Sequence, residues 1–421
     1  MRILWALILL GLLAGGAMAG GLFPSDFFRY LADTRDQASW ELVRKTGLVQ
    51  EIRLRSQVWR GIPWEHHLFL CMPQVPELGD AVFLYIGGNY RAGDELQGLE
   101  VAQKIRAPVA LLFEVPNQPL FDRWEDDLIA YTFRRYIEEG DPDWPLLFPM
   151  VRSVLSAMEA LEEYMRERGV SLRGFVLSGA SKRGWTAYLS AAAVPEKVLG
   201  IAPLVFDILN IEAQVGHQIS FWGDVSPRIS PYVAEGLLAG RGDPRWVKLL
   251  WLVDPYTYRY RLTMPKLLVL GANDHYWPID ALSLYWDGLP SPKHVLYVPN
   301  AGHSLGDEER VIGSLVAFSR TTMEGKELPR IEPMFRVGPD GAELTVEVSP
   351  EPVEARLWYA QNDMRDFREV TWEERPLEGT GSAFSAVVSR PPTGWCAFFA
   401  EFVFELEGHR LYLSTPAYVH P

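Results

Sequence analysis

The sequence predicts an α/β protein built on a mostly parallel sheet and followed by a smaller β-rich domain. Two observations carry this prediction. From residue 80 to about residue 320, short apolar runs that end in Gly, Asn or Asp alternate with helical stretches, a pattern typical of repeated βαβ units. After residue 325 the helical spacing stops, and short alternating segments separated by Pro and Gly remain.

Length and composition support this two-part organisation and exclude one class of partner. The chain has 421 residues, 48% of them hydrophobic, which suffices for one large domain and a smaller one. Its net charge is −14 without a cluster of Lys and Arg, so we expect no nucleic-acid partner. Cys71 and Cys396 are too few for a disulfide scaffold, and they form either one bridge or two separate buried thiols.

The N-terminus has the features of a signal peptide. Arg2 precedes an apolar run over residues 3–19, and Ala17-Met18-Ala19 has the small-x-small pattern of a signal peptidase site. An uncleaved anchor helix is the alternative, although this run is short for a bilayer span. We therefore predict removal of residues 1–19, export to the periplasm or the medium, and no stable membrane insertion afterwards.

The predicted elements of the large domain, residues 20–325, follow one another with short links. A helix over 148–169 has apolar residues at helical spacing and ends at Gly169. Residues 326–421 are predicted to form a β-sandwich-like domain that does no chemistry. The predicted strands of the large domain cover 49–60, 64–72, 80–88, 107–116, 173–179, 198–206, 265–274 and 293–303.

Residues 207–262 interrupt this alternation with helix-like pieces. We interpret them as a lid beside the carboxyl edge of the sheet, and a longer crossover with ordinary packing helices is the alternative. Three tryptophans of this segment, Trp222, Trp246 and Trp251, either stack on a flat substrate such as a sugar or belong to the helix core.

The stretch SGASKRGW at 178–185 lies between a predicted strand and a predicted helix. α/β-Hydrolases place a nucleophilic serine on such a turn, usually as G-x-S-x-G, because the turn is tight and the helix packs close to the strand. Gly179 and Ala180 fit this pattern, whereas the second glycine is displaced by one position to Gly184. Ser181 is therefore either a nucleophile or a hydroxyl near a helix start.

Two further residues favour the nucleophile. A serine hydroxyl needs a base that accepts its proton and an acid that orients the base. Asp274 and His303 each follow a predicted strand, in the chain order Ser, acid, His of α/β-hydrolases. Asp207, which follows the strand before that of Asp274, is the alternative acid. The sequence thus predicts a triad of Ser181, His303 and Asp274, although each partner could also be an ordinary loop residue.

Such a triad also needs two N–H donors for the oxyanion. We expect one from Lys182 and the other from Gly88 or Asn89, at the end of the strand DAVFLYIGG, although Gly87-Gly88 could be only a tight turn.

His66 and His67 are adjacent in a predicted strand, so they point to opposite faces and make a poor metal pair. Without an HExxH or paired-Cys motif, we expect no metal and no cofactor.

Four stretches together resemble the PhoPQ-activated pathogenicity-related proteins: EVPNQPLF, EDDLIAYTFRRYIEEGDPDWPLLFPMVRSVLSAMEAL, LSGASKRGWTAYLSAA and LVLGANDHYWPIDALSLYWDGL. This resemblance covers most of the mature chain. It implies an exported protein with an α/β-hydrolase fold and a β-rich C-terminal part, and it supports Ser181, Asp274 and His303 at the matching positions. The G-A-S-K-R-G turn alone is also similar to the G-C-S-R-x-G turn of glucuronoyl esterases, which remove sugar acids esterified to lignin alcohols.

The sequence therefore predicts an exported serine hydrolase, in the first place an esterase, with carbohydrate esters among its candidate substrates. A serine peptidase of the α/β-hydrolase type is one alternative. A non-catalytic binding or signalling protein on a hydrolase scaffold is another, because a fold does not by itself determine an activity. The expected partner is a small molecule, a glycan or a peptide.

Overall fold

A computed structural model describes residues 25–240, 242–338 and 341–421, and the predicted signal peptide lies outside these residues. The helices are α1 (Ser25–Asp33), α2 (Asp94–Ile105), α3 (Glu125–Glu139), α4 (Leu147–Arg166), α5 (Lys182–Ala193), α6 (Ile211–Trp222), α7 (Ser230–Ala234), α8 (Pro244–Val253) and α9 (Glu308–Met323). The first nine strands are β1 (Ser39–Thr46), β2 (Val49–Trp59), β3 (Ile62–Cys71), β4 (Ala81–Ile86), β5 (Val109–Leu112), β6 (Gly174–Ala180), β7 (Val198–Leu204), β8 (Lys266–Gly271) and β9 (Lys293–Val298). The remaining strands are β10 (Arg330–Gly338), β11 (Gly341–Ser349), β12 (Glu354–Asn362), β13 (Glu373–Pro376), β14 (Glu378–Thr380), β15 (Ala383–Ser389), β16 (Trp395–Leu406), β17 (His409–Ser414) and β18 (Tyr418–His420).

The centre of the fold is a run of parallel strands in the order β5-β4-β6-β7-β8-β9. The strands β1, β2 and β3 extend it as antiparallel neighbours on the β5 side. Helix α2 connects the adjacent parallel strands β4 and β5, which confirms the predicted βαβ unit. The α/β class and the mostly parallel sheet predicted from the sequence are therefore confirmed.

Both faces of this sheet are covered, as a parallel sheet requires. In β4, Val82 and Leu84 join one apolar cluster with Met150 of α4, whereas Phe83 joins a second cluster with Leu315 of α9. Alternate residues of a strand point to opposite faces, so the two clusters lie on the two sides of the sheet. The near-continuous apolar composition of the central strands follows from this double burial.

The C-terminal strands form two facing sheets. Strand β17 pairs antiparallel with β9 at Ser414 and Val295, and β16, β12 and β13 continue the central sheet from there. The other sheet has the order β10-β11-β15-β14, and Phe384 of this sheet packs on Phe402 with ring centroids 5.3 Å apart. This arrangement confirms the β-sandwich-like character, while hydrogen bonding between strands crosses the predicted domain boundary near residue 325.

The segment predicted as a lid leaves the sheet after β7 and returns to it at β8. Its helices α6, α7 and α8 lie between these strands in the chain. Asp254, after α8, accepts hydrogen bonds from the backbone N–H groups of Ile211 at 2.8 Å and Tyr256 at 2.9 Å. This carboxylate ties the start of α6 to the end of α8, so the two longer helices of the segment are fixed to each other.

Cys71 and Cys396 are both buried and both free, so they do not form the bridge that the sequence left open. Burial raises the pKa of the Cys71 thiol to about 12, which makes it a poor nucleophile at neutral pH.

Within the part of the chain that the structure describes, we find no helix with the length and apolarity to cross a membrane.

Candidate active site

Ser181 sits on a strained turn between β6 and α5. Its φ is +56° and its ψ is −122°, a conformation that a residue with a side chain rarely adopts. Its backbone N–H donates to the carbonyl of Leu204 at 2.8 Å, which anchors the turn to the neighbouring strand β7. Strain of this kind persists only where surrounding contacts enforce it, and it is concentrated at functional sites.

Two glycines allow the turn to be this tight. A Cβ atom on Gly179 would lie 2.8 Å from the Cβ of Arg183, and one on Gly184 would lie 3.0 Å from the carbonyl oxygen of Gly179. Helix α5 therefore packs directly against the strand that precedes it. The glycine displaced to position 184 serves the close helix-to-strand approach that the sequence analysis associated with this turn.

Asp274 and His303 are hydrogen bonded to each other. The Nδ1 atom of His303 lies 2.8 Å from Oδ2 of Asp274, while the backbone N–H of Tyr276 donates to Oδ1 of the same carboxylate at 2.8 Å. Asp274 is buried, and the side chain of His303 is 27% exposed. With Nδ1 donating to the acid, Nε2 is the ring nitrogen that can accept a proton.

The loops that carry these residues meet because of a close backbone approach. A Cβ atom on Gly271, at the end of β8, would lie 2.4 Å from the carbonyl oxygen of Gly302. The N–H of Asn273 donates to the carbonyl of Ala301 at 2.9 Å. These contacts place the loop after β8 against the loop after β9, one residue before the histidine.

Within the described residues Ser181 makes no hydrogen bond to this pair, but it lines a cavity together with a neighbour of His303. The ring of Tyr276 packs on His303 with centroids 4.2 Å apart, and Tyr276 and Ser181 line the same cavity. The Nε2 atom of His303 is buried and has no hydrogen-bond partner among the described residues. The structure thus brings the predicted acid and the predicted base together, and Ser181 shares a cavity with Tyr276, which the sequence did not indicate.

The alternative acid, Asp207, lies apart from the histidine's hydrogen bond. It is buried, and its Oδ1 accepts a hydrogen bond from the hydroxyl of Tyr285 at 2.6 Å. Burial, together with the nearby charges of Asp274 and Asp280, raises the pKa of Asp207 to about 8. A carboxyl group that is protonated near neutral pH cannot act as the anionic partner of an imidazolium ion.

The backbone groups expected to hold an oxyanion lie at neighbouring strand ends. Strands β4 and β6 pair in parallel with Ile86 opposite Gly179, so Gly88 and Ser181 each lie two residues beyond that pair. Lys182 is the first residue of α5, where backbone N–H groups lack partners within the helix. A Cβ atom on Gly88 would lie 2.8 Å from Nη2 of Arg183, so this position accommodates only glycine without a shift of that side chain.

Side-chain charges next to the serine form a neutral cluster of Lys182, Arg183, Glu125 and Asp126. Arg183 donates to both carboxylate oxygens of Glu125, at 2.7 and 2.8 Å. The Nζ of Lys182 lies 2.7 Å from Glu125 and 3.4 Å from Asp126. Burial of Glu125 opposes its ionisation, but Arg183 and Lys182 together lower the pKa of Glu125 below its ordinary value. The charge of Lys182 is therefore already neutralised and is not free for a substrate anion.

This cluster is also connected to the loop of the second expected oxyanion donor. Gln118 donates from Nε2 to Oδ1 of Asn89 at 3.2 Å and contacts the carboxylate of Glu125 as well. The backbone N–H of Glu125 donates back to Gln118 at 2.8 Å, and Glu125 has a φ of +51°. No signal in the sequence pointed to Glu125, because its role depends on this backbone conformation and on contacts distant in the chain.

An apolar cavity of about 70 Å³ opens beside Ser181. Its lining combines residues of α5 with residues of the lid segment, including Trp246 of α8. Trp222 and Trp251, the other two tryptophans singled out in the sequence, lie outside this lining. Among the residues that the structure describes, no group of three or more His, Cys, Asp or Glu side chains could hold a metal ion.

Comparisons with known proteins agree with this fold. A sequence model of the family described as "PhoPQ-activated pathogenicity-related protein" matches residues 27–368. The chain is 30% identical over 433 residues to "Autocrine proliferation repressor protein A" of Dictyostelium discoideum, covering 91% of this chain and 87% of that protein. Acetyl xylan esterase 1 from Thermoanaerobacterium sp. JW/SL YS485 has a similar structure, with a TM-score of 0.51 at 15% identity over 71% of this chain and 92% of that one. The structural likeness confirms the predicted α/β-hydrolase fold and, at this identity, the fold alone.

Proposed function

The chain belongs to the PhoPQ-activated pathogenicity-related protein family, and on this premise we propose that it is a serine hydrolase that cleaves esters. Ser181 is the nucleophile, His303 the general base and Asp274 the acid that orients the base. The observation that carries the proposal is the 2.8 Å hydrogen bond from His303 to Asp274, together with a serine held at positive φ that lines a cavity with Tyr276 of the same loop as Asp274. This combination matches the requirements of nucleophilic catalysis by a serine.

The proposed reaction has two steps. The Oγ of Ser181 attacks the ester carbonyl carbon while Nε2 of His303 takes its proton, and the resulting oxyanion accepts hydrogen bonds from Lys182 N–H and from the Gly88–Asn89 loop. The tetrahedral intermediate collapses, the carbon–oxygen bond to the alcohol breaks, and His303 returns the proton to the departing alcohol. Water, deprotonated by the same imidazole, then hydrolyses the acyl-enzyme.

Esters are the proposed substrates because their leaving group departs more readily than an amine. An alkoxide requires less assistance from a general acid than the nitrogen of a peptide bond. Carbohydrate esters remain within this proposal as one class of substrate. We also propose export, which rests on the apolar segment at residues 1–19, and sequencing of the secreted chain should give Gly20 as its first residue.

Two observations support a second candidate, a signalling protein with little turnover. The relative that is 30% identical over most of the chain is called a proliferation repressor, and Nε2 of His303 has no hydrogen-bond partner among the described residues. A scaffold that had lost catalysis would need no bond between serine and base. Apo geometry does not exclude catalysis, however, because catalytic hydrogen bonds often tighten only when substrate binds.

Covalent labelling distinguishes the two candidates. A fluorophosphonate probe should modify the wild-type protein at Ser181, as mapped by peptide mass spectrometry, and should not modify Ser181→Ala. Ser178→Ala is a matched control, because Ser178 is buried in β6 and donates to the carbonyl of Ala202 at 2.7 Å. A folded wild-type protein that took up no probe and cleaved no ester would favour the signalling protein.

A further inference from the structure

The cavity beside Ser181 is lined mainly by buried apolar side chains. Phe206 and Trp185 form one wall, with ring centroids 5.4 Å apart and ring planes 26° from parallel. Val215 of α6 and Trp246 and Leu250 of α8 line it from the lid side, and all five side chains are buried. A group bound among these side chains therefore lies against apolar protein.

The small size and the apolar lining of this cavity indicate which half of an ester binds there. The acyl group stays bonded to the serine through the first step, so it can remain in a small buried cavity, whereas the alcohol has to depart before water attacks. A second and larger space of about 630 Å³ lies beside Gly88 and Asn89, and its lining combines apolar side chains such as Leu204 with polar ones such as Gln118. The alcohol can leave through this wider groove.

The lining also restricts the chemistry of the acyl group. The charged residues at the cavity are Lys182 and Asp126, and Lys182 is paired with Glu125 and Asp126 at 2.7 and 3.4 Å. A carboxylate on the substrate would lose its hydration without gaining an unpaired cation, which is unfavourable. This argues against acyl groups that carry a second, free carboxylate, such as the half-esters of dicarboxylic acids.

The volume of the cavity restricts the length of the acyl chain. A water molecule in the liquid occupies about 30 Å³, and a cavity of about 150 Å³ accepts benzene. A cavity of about 70 Å³ matches a chain of roughly two to four carbons. We propose that this cavity binds the acyl group and that the substrates are esters of short, uncharged carboxylic acids. This inference rests on the proposed function.

The test is a series of p-nitrophenyl esters with a constant leaving group, from acetate through butyrate to octanoate. Each methylene that fits should raise kcat/KM about fourfold, so butyrate should exceed acetate by roughly fifteenfold. Octanoate should fall at least about tenfold below butyrate, because it exceeds the cavity, and the anionic hemisuccinate should fall below butyrate by a similar factor.

Two variants of cavity residues and one control variant test whether the cavity determines this acyl-chain profile. Trp246→Ala should move the optimum to longer acyl chains, while Trp251→Ala, on the same helix but 42% exposed, should leave the profile unchanged. Val215→Phe should narrow the cavity and lower the ratio of butyrate to acetate turnover, and this variant decides the matter if Trp246→Ala does not fold.

The outcomes separate the acyl assignment from the proposed function. A flat profile with normal fluorophosphonate labelling at Ser181 would overturn the acyl assignment and leave the nucleophile standing. Preference for the hemisuccinate, or an optimum that neither cavity variant moves, would overturn it as well. A wild-type protein that is not labelled at all would instead overturn the proposed function.

Discussion

Replacement of the buried Asp207 by Asn should stabilise the protein at alkaline pH and preserve its activity. Asp207 is 4% exposed and accepts a hydrogen bond from Tyr285. The amide side chain introduced by this substitution keeps the volume and one acceptor oxygen but carries no ionisable group, so it mimics the protonated carboxyl. Asp207→Asn therefore removes the cost of burying a charge without creating a cavity.

The magnitude follows from the raised pKa. Burial raises the pKa of Asp207 from its ordinary value of 3.8 to about 8. The folded protein therefore holds the proton more tightly than the unfolded chain, and stability falls as pH rises from about 4 to about 8. A difference of about four between the two pKa values corresponds to roughly 6 kcal/mol in total, of which about 4 kcal/mol develops between pH 5 and pH 9.

The assay is urea unfolding at about pH 5 and pH 9. The free energy of unfolding of Asp207→Asn relative to wild type should increase by about 4 kcal/mol between these conditions. Tyr285→Phe is the opposite control, because loss of its hydrogen bond raises the pKa of Asp207 further and increases the penalty at pH 9. Equal pH dependence of wild type and Asp207→Asn would refute the buried neutral carboxyl, and loss of ester cleavage in a folded Asp207→Asn would reassign the catalytic acid.

Two other substitutions concern the loop after β8, which carries Asn273 and Asp274. Asp274→Asn should lower kcat about 10⁴-fold in a folded protein, because the amide favours the wrong imidazole tautomer, and steady-state kinetics on an aryl ester would measure this loss. Asn273→Ala should lower kcat more modestly, since Asn273 donates to the carbonyls of Phe367 and Val370 at 3.0 and 2.8 Å and holds the acid's loop in place. An Asn273→Ala protein with an unchanged kcat and a lower free energy of unfolding would make these bonds purely structural.

The sequence predicted those residues of the candidate site that follow a recognisable local pattern. Ser181, Asp274 and His303 each follow a strand whose apolar run is visible, and parallel strands bring their carboxyl ends to one edge of a sheet. The pairing of Asp274 with His303 agrees with that inference. Asp207 stayed open as an alternative in the sequence, because the burial that raises its pKa and favours its neutral form exists only in the folded chain.

Other features depend on contacts that no local pattern encodes. Glu125 reaches Arg183 through a left-handed backbone conformation and a bidentate ion pair between residues 58 positions apart. Alternating apolar residues predict a strand at β17 but not its partner, because register and neighbours are set by packing in the folded chain. The continuation of the central sheet into the C-terminal strands therefore became visible only in three dimensions.

The C-terminal region also takes part in the geometry of the candidate site. The backbone N–H of Trp372 donates to Oδ1 of Asn300 at 2.7 Å, and Asn300 Nδ2 donates back to the carbonyl of Trp372 at 3.0 Å. The guanidinium of Arg368 lies 4.2 Å from the ring centroid of Trp222 at the end of α6. The segment from Phe367 to Trp372 thus contacts both the loop that carries His303 and helix α6. Its carbonyls also accept hydrogen bonds from Asn273, in the loop that carries Asp274. Because this segment contacts the loops of Asp274 and His303 and also helix α6, which carries Val215 of the cavity lining, removal of residues 326–421 should disturb acid–base geometry and acyl specificity together, and not one alone.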